Sequence, residues 1–473
     1  MKNNELPKIT NKDSGTILIY TVVIIFIFSL VMLGVLTYAN FTLKTLRGTV
    51  NREVAFQIAE AGVNYYEWHL AHYQSDFWDG NASTTPGPYI HNYIDKDTGQ
   101  TIGQFSLAIT PPATGSTITT LQATGYTTAS PNQKRTITVR YGIPSLAQYS
   151  FLTNSDVWIG PSESINGQFF SNGGIRFDGT GNAPISSAKA TYTCPGWSGD
   201  AAFSCPAVRN GIWGAASAST KSYWQFPVPN IDFTSMTSDL SKMKSDAQTA
   251  GVYLPPSGAQ GYSLEFVPSN NSFNVYKVKS LKSDPTGWDV NGTAHNEDLD
   301  YNLRVLLYNK PIPANGIIFV EDNTWVEGVV KGRVMVAAAK LPYNAAAAPS
   351  IIIEKNLTYN AKDGTNSLGL IGQQDVLIGY LSPNNLEIDA AMIAQNGSAQ
   401  IYNWPGSIKN SITIYGMVGS FGQWTWTYVN SSGSTVSGYA NTNTIYDSSL
   451  LYAPPPSFPL SSDGYQQISW SSD

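Results

Sequence analysis

The residues with the strongest catalytic potential are two carboxylates on one strand-like run. Glu387 and Asp389 alternate with Ile388 in LEIDAAMIA, so both would project from the same face of a β-strand. A glycosidase needs two carboxylates across a cleft, and a lyase of the pectate type needs clustered carboxylates for Ca²⁺ with a basic residue. Because the apolar residues point the other way, we interpret this pair as the solvated face of a strand.

The other candidates for chemistry are scattered. Asp322, Glu327 and Asp375 are single carboxylates in β-rich runs, and the sequence has no G-x-S-x-G motif, Walker-type loop or histidine pair at metal spacing. The acidic run NEDLD around Asp298 lacks the D-x-[DN]-x-[DN]-G calcium pattern, so we interpret it as an acidic loop and leave its calcium binding open. We expect no enzymatic activity, no catalytic residue, no cofactor and no metal site.

The two cysteines, Cys194 and Cys205, lie in one loop-like stretch, TYTCPGWSGDAAFSC. An even pair that closes a short loop favours a disulfide in an oxidising compartment, and two free thiols are the alternative.

Aromatic residues provide a candidate binding surface. Trp424, Trp426 and Tyr428 alternate in QWTWTY, so all three would share one strand face. If exposed, they would form a platform on which a sugar or peptide can stack; if buried, they would cap the open end of a repetitive β fold. We favour the cap.

The first structural element that the sequence predicts is a membrane-spanning helix. Residues 15–39 contain no charged side chain, and a helix of that length crosses a hydrocarbon core of roughly 30 Å. The numbers of basic residues on the two sides of the span are nearly equal, so they do not decide its orientation. We infer the orientation from the large size of the C-terminal part instead. We expect a leader over 1–14, a cytoplasmic N-terminus and a large extracytoplasmic domain.

The helix does not stop at the membrane surface. Apolar residues return at three- and four-residue steps to about Tyr73, and no proline lies between Pro7 and Pro86. Three alternating runs follow, at 103–110, 117–126 and 135–141, separated by turn signals. The sequence predicts that the second half of one continuous helix packs on a small antiparallel sheet, which together form a unit over 40–144.

From residue 145 onward, short β runs recur with Gly and Asn at their ends. This pattern predicts a β-helix, or solenoid, over 145–430, with an insertion at about 190–312 and a helix near 234–250. A β-sandwich is the alternative. Residues 431–473 are expected to pack on the solenoid as a C-terminal tail. The predicted fold class is therefore α+β and then mainly β.

The N-terminal residues resemble those of type IV pilin-like proteins, in particular PilX-type pilus assembly proteins and minor pseudopilins. The resemblance rests on Gly15 before the apolar helix and on the signature in AFQIAEAGVNYYEW, and it covers about the first 75 residues. Major pilins carry a Glu five residues after the cleaved Gly, where this chain has Tyr20. The resemblance implies a leader-peptidase boundary between Gly15 and Thr16. The signature residues are Ala55, Ala59, Glu60, Ala61 and Gly62.

A second resemblance covers roughly 150–470. The order VEGVVKGRV, LGLIGQQDVLIG, LEIDAAMIAQNG, YDSSLLYAPPPSFP and ISW is similar to a poorly characterised solenoid-like domain that follows pilin-like helices in bacterial surface proteins. It implies no known reaction.

Together, these features predict a minor pilin-like structural protein of a type IV pilus or pseudopilus-like system. Its partners would be the membrane, other pilin-like subunits or the assembly machinery. The first alternative is a single-pass surface adhesin that does not polymerise and binds a glycan or protein ligand through the solenoid; an anchored polysaccharide-active enzyme is the second. The net charge of −6 argues against nucleic acid as a partner.

Overall fold

A computed structural model describes residues 14–233, 236–461 and 464–473, so the predicted leader lies outside the described residues except for Ser14. The chain forms two compact units. The helical unit comprises the described residues of Met1–Pro111, Thr119–Tyr141 and Gln467–Asp473. The β unit comprises those of Pro112–Ile118 and Gly142–Gln466.

The N-terminal helix is one continuous element of 59 residues, Ser14–His72, which confirms the predicted long helix. Every side chain from residue 16 to 41 is exposed. The hydroxyls of Thr21, Ser29 and Thr37 donate to carbonyls four residues earlier, at 2.6–2.8 Å, so these polar groups are satisfied within the helix. Within the described ranges, this helix is long and apolar enough to cross a membrane.

The second half of the helix packs on a five-stranded sheet. Its buried residues recur at three- and four-residue steps, and they are Ala55, Ile58, Ala59, Gly62, Val63, Tyr66, His69 and Leu70. The first four strands pair antiparallel in sequence order. The sheet order is Tyr89–Ile94, Thr101–Thr110, Thr119–Thr127, Ser130–Gly142 and Gln466–Ser472.

Two of these strands differ from the sequence prediction. Tyr89–Ile94 lies before the three predicted runs; its residues alternate between half-buried and exposed, so its strand signal is weak. Gln466–Ser472 was expected in a tail that packs on the solenoid, but it is the fifth strand of the helical unit's sheet. Thr435–Tyr446, from the same predicted tail, is a strand of the β unit.

Glycines bring the helix unusually close to the sheet. A Cβ added at Gly125 would overlap the carbonyl oxygen of Ala55 and the backbone nitrogen of Ala59. A Cβ at Gly62 would lie 2.9 Å from the Phe105 ring. The small residues of the helix and of the strand are therefore needed together, because any larger side chain would separate the two backbones.

The β unit is built mainly from parallel strands that stack in three ladders. Strands that follow one another in the sequence generally belong to different ladders. The first ladder contains, in stacking order, Val252–Leu254, Ile317–Val320, Arg333–Ala338, Ser367–Gly372, Asn385–Ala394, Ile408–Ser420, Phe151–Thr153, Phe169–Ser171, Ile185–Ser187 and Trp224–Gln225. The second contains Gly261–Val267, Thr324–Val330, Ile351–Ile353, Val376–Ile378 and Ala399–Ile401.

The third ladder shares one strand with the second ladder and two strands with the first. It contains Thr324–Val330, Leu357–Tyr359, Asn385–Ala394, Ile408–Ser420, Thr435–Tyr446, Glu163–Asn166 and Thr180–Gly181. A separate parallel sheet contains Val157–Ile159, Ile175–Phe177 and Ile212–Trp213. Parallel stacking of this kind is compatible with the predicted solenoid, whereas a β-sandwich is built from antiparallel sheets.

Shorter elements decorate these ladders. Ser272–Val278 pairs antiparallel with Gly261–Val267 and with Arg304–Pro311. The short antiparallel pairs are Thr191–Thr193 with Val208–Asn210, Gly287–Trp288 with Ala294–His295, and Thr427–Val429 with Thr435–Tyr446. In the described part of the chain, the other α-helices are Ala218–Lys221 and Met236–Ala250.

The first ladder is buried on both faces. Ile318 and Val320 point into one core, while Ile317 and Phe319 belong to a second core with the insertion helix Met236–Ala250. This explains why the strands read as continuous apolar runs rather than as alternating ones.

The insertion helix agrees with the predicted segment near 234–250, of which residues 234 and 235 lie outside the described residues. Gly251 follows it at the position of a C-terminal cap, but its φ is not positive. A Cβ there would lie 2.5 Å from the carbonyl oxygen of Ile317, so glycine is required by close packing rather than by a left-handed cap.

The glycine contact in the helical unit can be tested by Gly125→Val. The added side chain would force the helix away from the sheet, and we expect a loss of about 1–3 kcal/mol in the free energy of unfolding. Urea unfolding of the full chain in detergent measures this. Gly196→Ala is the control, because a Cβ at Gly196 meets no atom within 4 Å. Equal stability of G125V and wild type would contradict the packing role.

Candidate functional site

Some of the predicted pilin-like residues are buried against the sheet, and others are exposed. Gly15 and Thr16 lie in the first turn of the N-terminal helix. Ala59 and Gly62 are buried against the sheet, Ala61 is half-buried, and Glu60 is exposed without an ion-pair partner among the described residues. The small residues of the signature are therefore explained by helix–sheet packing, and the Glu60 carboxylate stays available at the surface.

Cys194 and Cys205 form a disulfide bond that closes the loop 194–205. We call this segment the disulfide loop. It carries the short helix Gly196–Ser198 and with it Trp197, which is 42% exposed.

A buried arginine attaches the disulfide loop to the neighbouring strands. The Arg176 guanidinium donates to Asp178 at 2.7 Å, to the carbonyl oxygen of Ser198 at 2.7 Å, and to Asp200. It also lies 4.3 Å from the ring centroid of Trp158, whose indole N–H donates to Asp178 at 2.8 Å. Charge pairing and ring stacking thus fix the indole of Trp158 relative to the loop that carries Trp197.

The aromatic triplet predicted from QWTWTY is mostly inside the protein. Trp424 and Trp426 are 4% and 1% exposed, so they cannot serve as an exposed stacking platform. Trp424 packs edge-on against Phe151 with centroids 4.9 Å apart, which explains the burial. Tyr428 is half-buried, and its hydroxyl donates to the carbonyl oxygen of Ile401 at 3.1 Å.

One cavity brings Trp424 and Tyr428 together with residues that the sequence did not single out. It has a volume of about 260 Å³ and lies wholly within the β unit. We call it the aromatic cavity. Residues 158 and 163 come from the first strands of the β unit, and residue 197 comes from the disulfide loop. Residues 423–429 come from the C-terminal part of the β unit. Its characteristic lining residues are Trp158, Glu163, Trp197, Gln423, Trp424 and Tyr428.

Glu163 is the ionisable group at this cavity with the most perturbed environment. The side chain is buried on the same strand face as Ile165. Burial raises the pKa of its carboxyl to about 8; the Gly160 N–H, 2.7 Å from one oxygen, opposes this rise, and the charge of Asp178 adds to it. At neutral pH, the carboxyl is therefore mostly protonated and able to donate a hydrogen bond as well as accept one.

The paired carboxylates of LEIDAAMIA do not form a solvated face. Glu387 is exposed, but Asp389 is buried, so our interpretation of the pair is wrong for Asp389. One Asp389 oxygen lies 2.8 Å from the Lys362 ammonium, and the other accepts the Tyr359 N–H at 2.9 Å. The ion pair explains how an acidic residue is tolerated at this depth.

The acidic loop around Asp298 is also more buried than the sequence predicted. Asp298 is buried, and the Leu299 N–H donates to Glu354 at 2.8 Å. Burial raises the pKa of Glu297 to about 7 and that of Glu354 to about 8. Across 14–233, 236–461 and 464–473, no group of three or more His, Cys, Asp or Glu residues is placed to hold a metal ion.

Comparison with known proteins gives little further information. No protein-family model and no curated protein matches this chain. Among solved structures, it is similar to the competence-associated pilin ComZ from Thermus thermophilus, with 14% sequence identity over 89% of this chain and 97% of that chain. The TM-score is 0.27, so the functional argument below rests on this chain's own residues.

The environment of Glu163 predicts a pH-dependent stability. The folded protein holds a proton on this carboxyl up to about pH 8, whereas the unfolded chain releases it near pH 4.5, so this residue's contribution to stability falls as the pH rises between those values. Glu163→Gln keeps an acceptor for the Gly160 N–H but cannot ionise. We expect it to gain about 1–3 kcal/mol relative to wild type between about pH 5 and pH 8.

Urea unfolding of the full chain in detergent across this pH range measures the difference. Glu387→Gln is the control, because that side chain is exposed. Parallel pH profiles for E163Q and wild type would show that Glu163 is not held in a buried, protonated state.

Proposed function

We propose that this chain is a membrane-anchored, surface-displayed structural protein of a type IV pilus or pseudopilus-like system, with the role of a minor pilin-like subunit. The observation that carries this proposal is the division of one helix into an exposed apolar half and a half that is docked on an antiparallel sheet. In water, the apolar side chains of the exposed half would remain in unfavourable contact with solvent.

The anchor follows from the energetics of the exposed half. Residues 15–39 carry no charge and are mostly apolar, and each apolar side chain left in solvent would forgo favourable burial of roughly 25 cal/mol per Å². A bilayer satisfies them, and in an assembled filament the same surface can pack against identical helices of other subunits. Both environments need the helix to satisfy its own backbone groups, which a continuous helix does.

Orientation and display are further parts of the proposal. We place the N-terminus in the cytoplasm and the β unit outside, where an oxidising environment would maintain the Cys194–Cys205 disulfide. The parallel ladders support a β-solenoid as the displayed part, since each turn of the chain stacks on the next with most of its apolar residues buried.

We also propose that the protein is not an enzyme and does not act on nucleic acid. Apart from the exposed Glu387, the carboxylates considered for catalysis are engaged in structural contacts. Glu327 lies 2.5 Å from Arg304 and 2.9 Å from Lys355. Asp322 accepts from Ser257 at 2.6 Å, and Asp375 accepts the Ser398 N–H at 2.6 Å. These contacts support a structural role for each group.

Membrane anchoring can be tested with a charge in the middle of the span. Ile27→Arg should reduce membrane insertion, because an arginine at the centre of a spanning helix costs about 2.5–3.5 kcal/mol. Cell fractionation with an alkaline wash, followed by detection of the chain in the pellet, measures this, and Ile27→Leu is the control. A wild-type chain that stays soluble without detergent would contradict the proposal.

Processing of the leader separates the pilin-like protein from a non-polymerising adhesin. Mass spectrometry of the mature N-terminus should find a chain that begins at Thr16. Gly15→Leu should leave the leader attached because it changes the predicted cleavage boundary, whereas Gly34→Leu, within the span and with open space around it, should not. An intact Met1 on the wild-type chain would favour the adhesin.

A further inference from the structure

We propose that the aromatic cavity binds an uncharged sugar residue of a glycan. This inference goes beyond the pilin-like role proposed above and is independent of membrane insertion. It rests on three features of the cavity: its rings, its unpaired polar groups and its lack of a lining cation.

The rings suit the apolar face of a pyranose. Trp158, Trp197 and Tyr428 supply aromatic surface from three separate segments, and Trp197 at the edge is 42% exposed. The C–H groups of a sugar ring can pack on such surfaces, as apolar groups do on aromatic faces. A volume of about 260 Å³ is below the roughly 300–1,000 Å³ of drug-sized sites, so it limits the ligand to one or two rings.

The polar groups suit hydroxyls. Both Glu163 and Gln423 line the cavity. The Gln423 amide has no partner within the described residues, and Glu163 offers a carboxyl oxygen beyond the one that accepts the Gly160 N–H. A sugar hydroxyl can accept from the amide N–H of Gln423 and donate to that oxygen of Glu163.

The charges favour a neutral sugar over the related alternatives. The cavity lining contains no Lys or Arg, so a uronic or sialic acid would find no counter-ion there. Arg176, which stacks on the Trp158 ring, is already paired with Asp178 and Asp200. A quaternary ammonium group could stack on the rings, but it would leave the Gln423 amide unpaired because the group can neither donate nor accept a hydrogen bond.

The test is a titration of the full chain in detergent with methyl glycosides. The probes are the glycosides of glucose, galactose, mannose, N-acetylglucosamine and N-acetylgalactosamine at up to about 10 mM, with glucuronic acid, sialic acid and choline as comparisons. Binding is followed by calorimetry and by tryptophan fluorescence. At least one neutral glycoside should bind saturably.

Variants place the binding in the cavity. Trp197→Ala should weaken binding about three- to tenfold, as expected for loss of one ring contact, and Gln423→Ala should also weaken it. Trp68→Ala is the matched control, because Trp68 is an exposed tryptophan of the helical unit. Near-ultraviolet circular dichroism checks that each variant is folded.

The proposal is overturned if no neutral glycoside binds to the wild type, if folded W197A and Q423A both bind as tightly as wild type, or if binding is confined to the acidic sugars or to choline. None of these outcomes affects the membrane proposal, which is decided by fractionation and by the mature N-terminus.

Discussion

The parallel pairing of Ile408–Ser420 with Phe151–Thr153 is the contact on which the β unit depends. It joins the strands of residues 151–187 to those of residues 317–420 and makes one ladder from two blocks that the insertion separates in sequence. The same junction places Trp424 against Phe151, and the aromatic cavity forms beside it from residues of both blocks. Thr435–Tyr446 pairs in parallel with Glu163–Asn166 as well, so the early and late strands are joined along two ladders.

In the helical unit, the corresponding constraint is the short distance between backbones. Ala55 and Ala59 on the helix meet Gly125 on the strand, which leaves no space for a side chain between them. Packing of the helix on the sheet therefore accounts for the small residues of the pilin-like signature without a direct role in assembly. Small residues are required where the helix contacts the sheet, and the one charged member of the signature is directed away from it.

Much of the fold could be predicted from local patterns, because periodicity reports burial along a single element. The long helix, the three central strands of its sheet and the short strands of the ladders all followed from spacing. Gln466–Ser472 could not be placed in this way, since its partner strand lies more than 300 residues earlier in the chain. The burial of Asp389 was missed for a similar reason: Lys362, which neutralises it, comes from a neighbouring turn of the chain.

The candidate site shows the same limit. The sequence singled out Trp424 and Tyr428, but it gave no indication that they meet Trp158, Glu163 and Trp197. One local signal was available, because the alternation in ESIN places Glu163 on the same buried face as Ile165. A carboxyl at a core position is unusual enough to mark a segment for attention even when its surroundings are not known.

The order of the strands in the first ladder has a consequence for biogenesis. Phe151–Thr153 is synthesised well before Ile408–Ser420, so a chain that begins to fold during synthesis presents an unpaired strand edge until more than 250 further residues have been made. Such an edge can recruit other chains, and closure between distant segments is slow. A molecular chaperone would shorten this interval, and the yield of folded protein rather than its equilibrium stability would be the quantity most sensitive to damage at the junction.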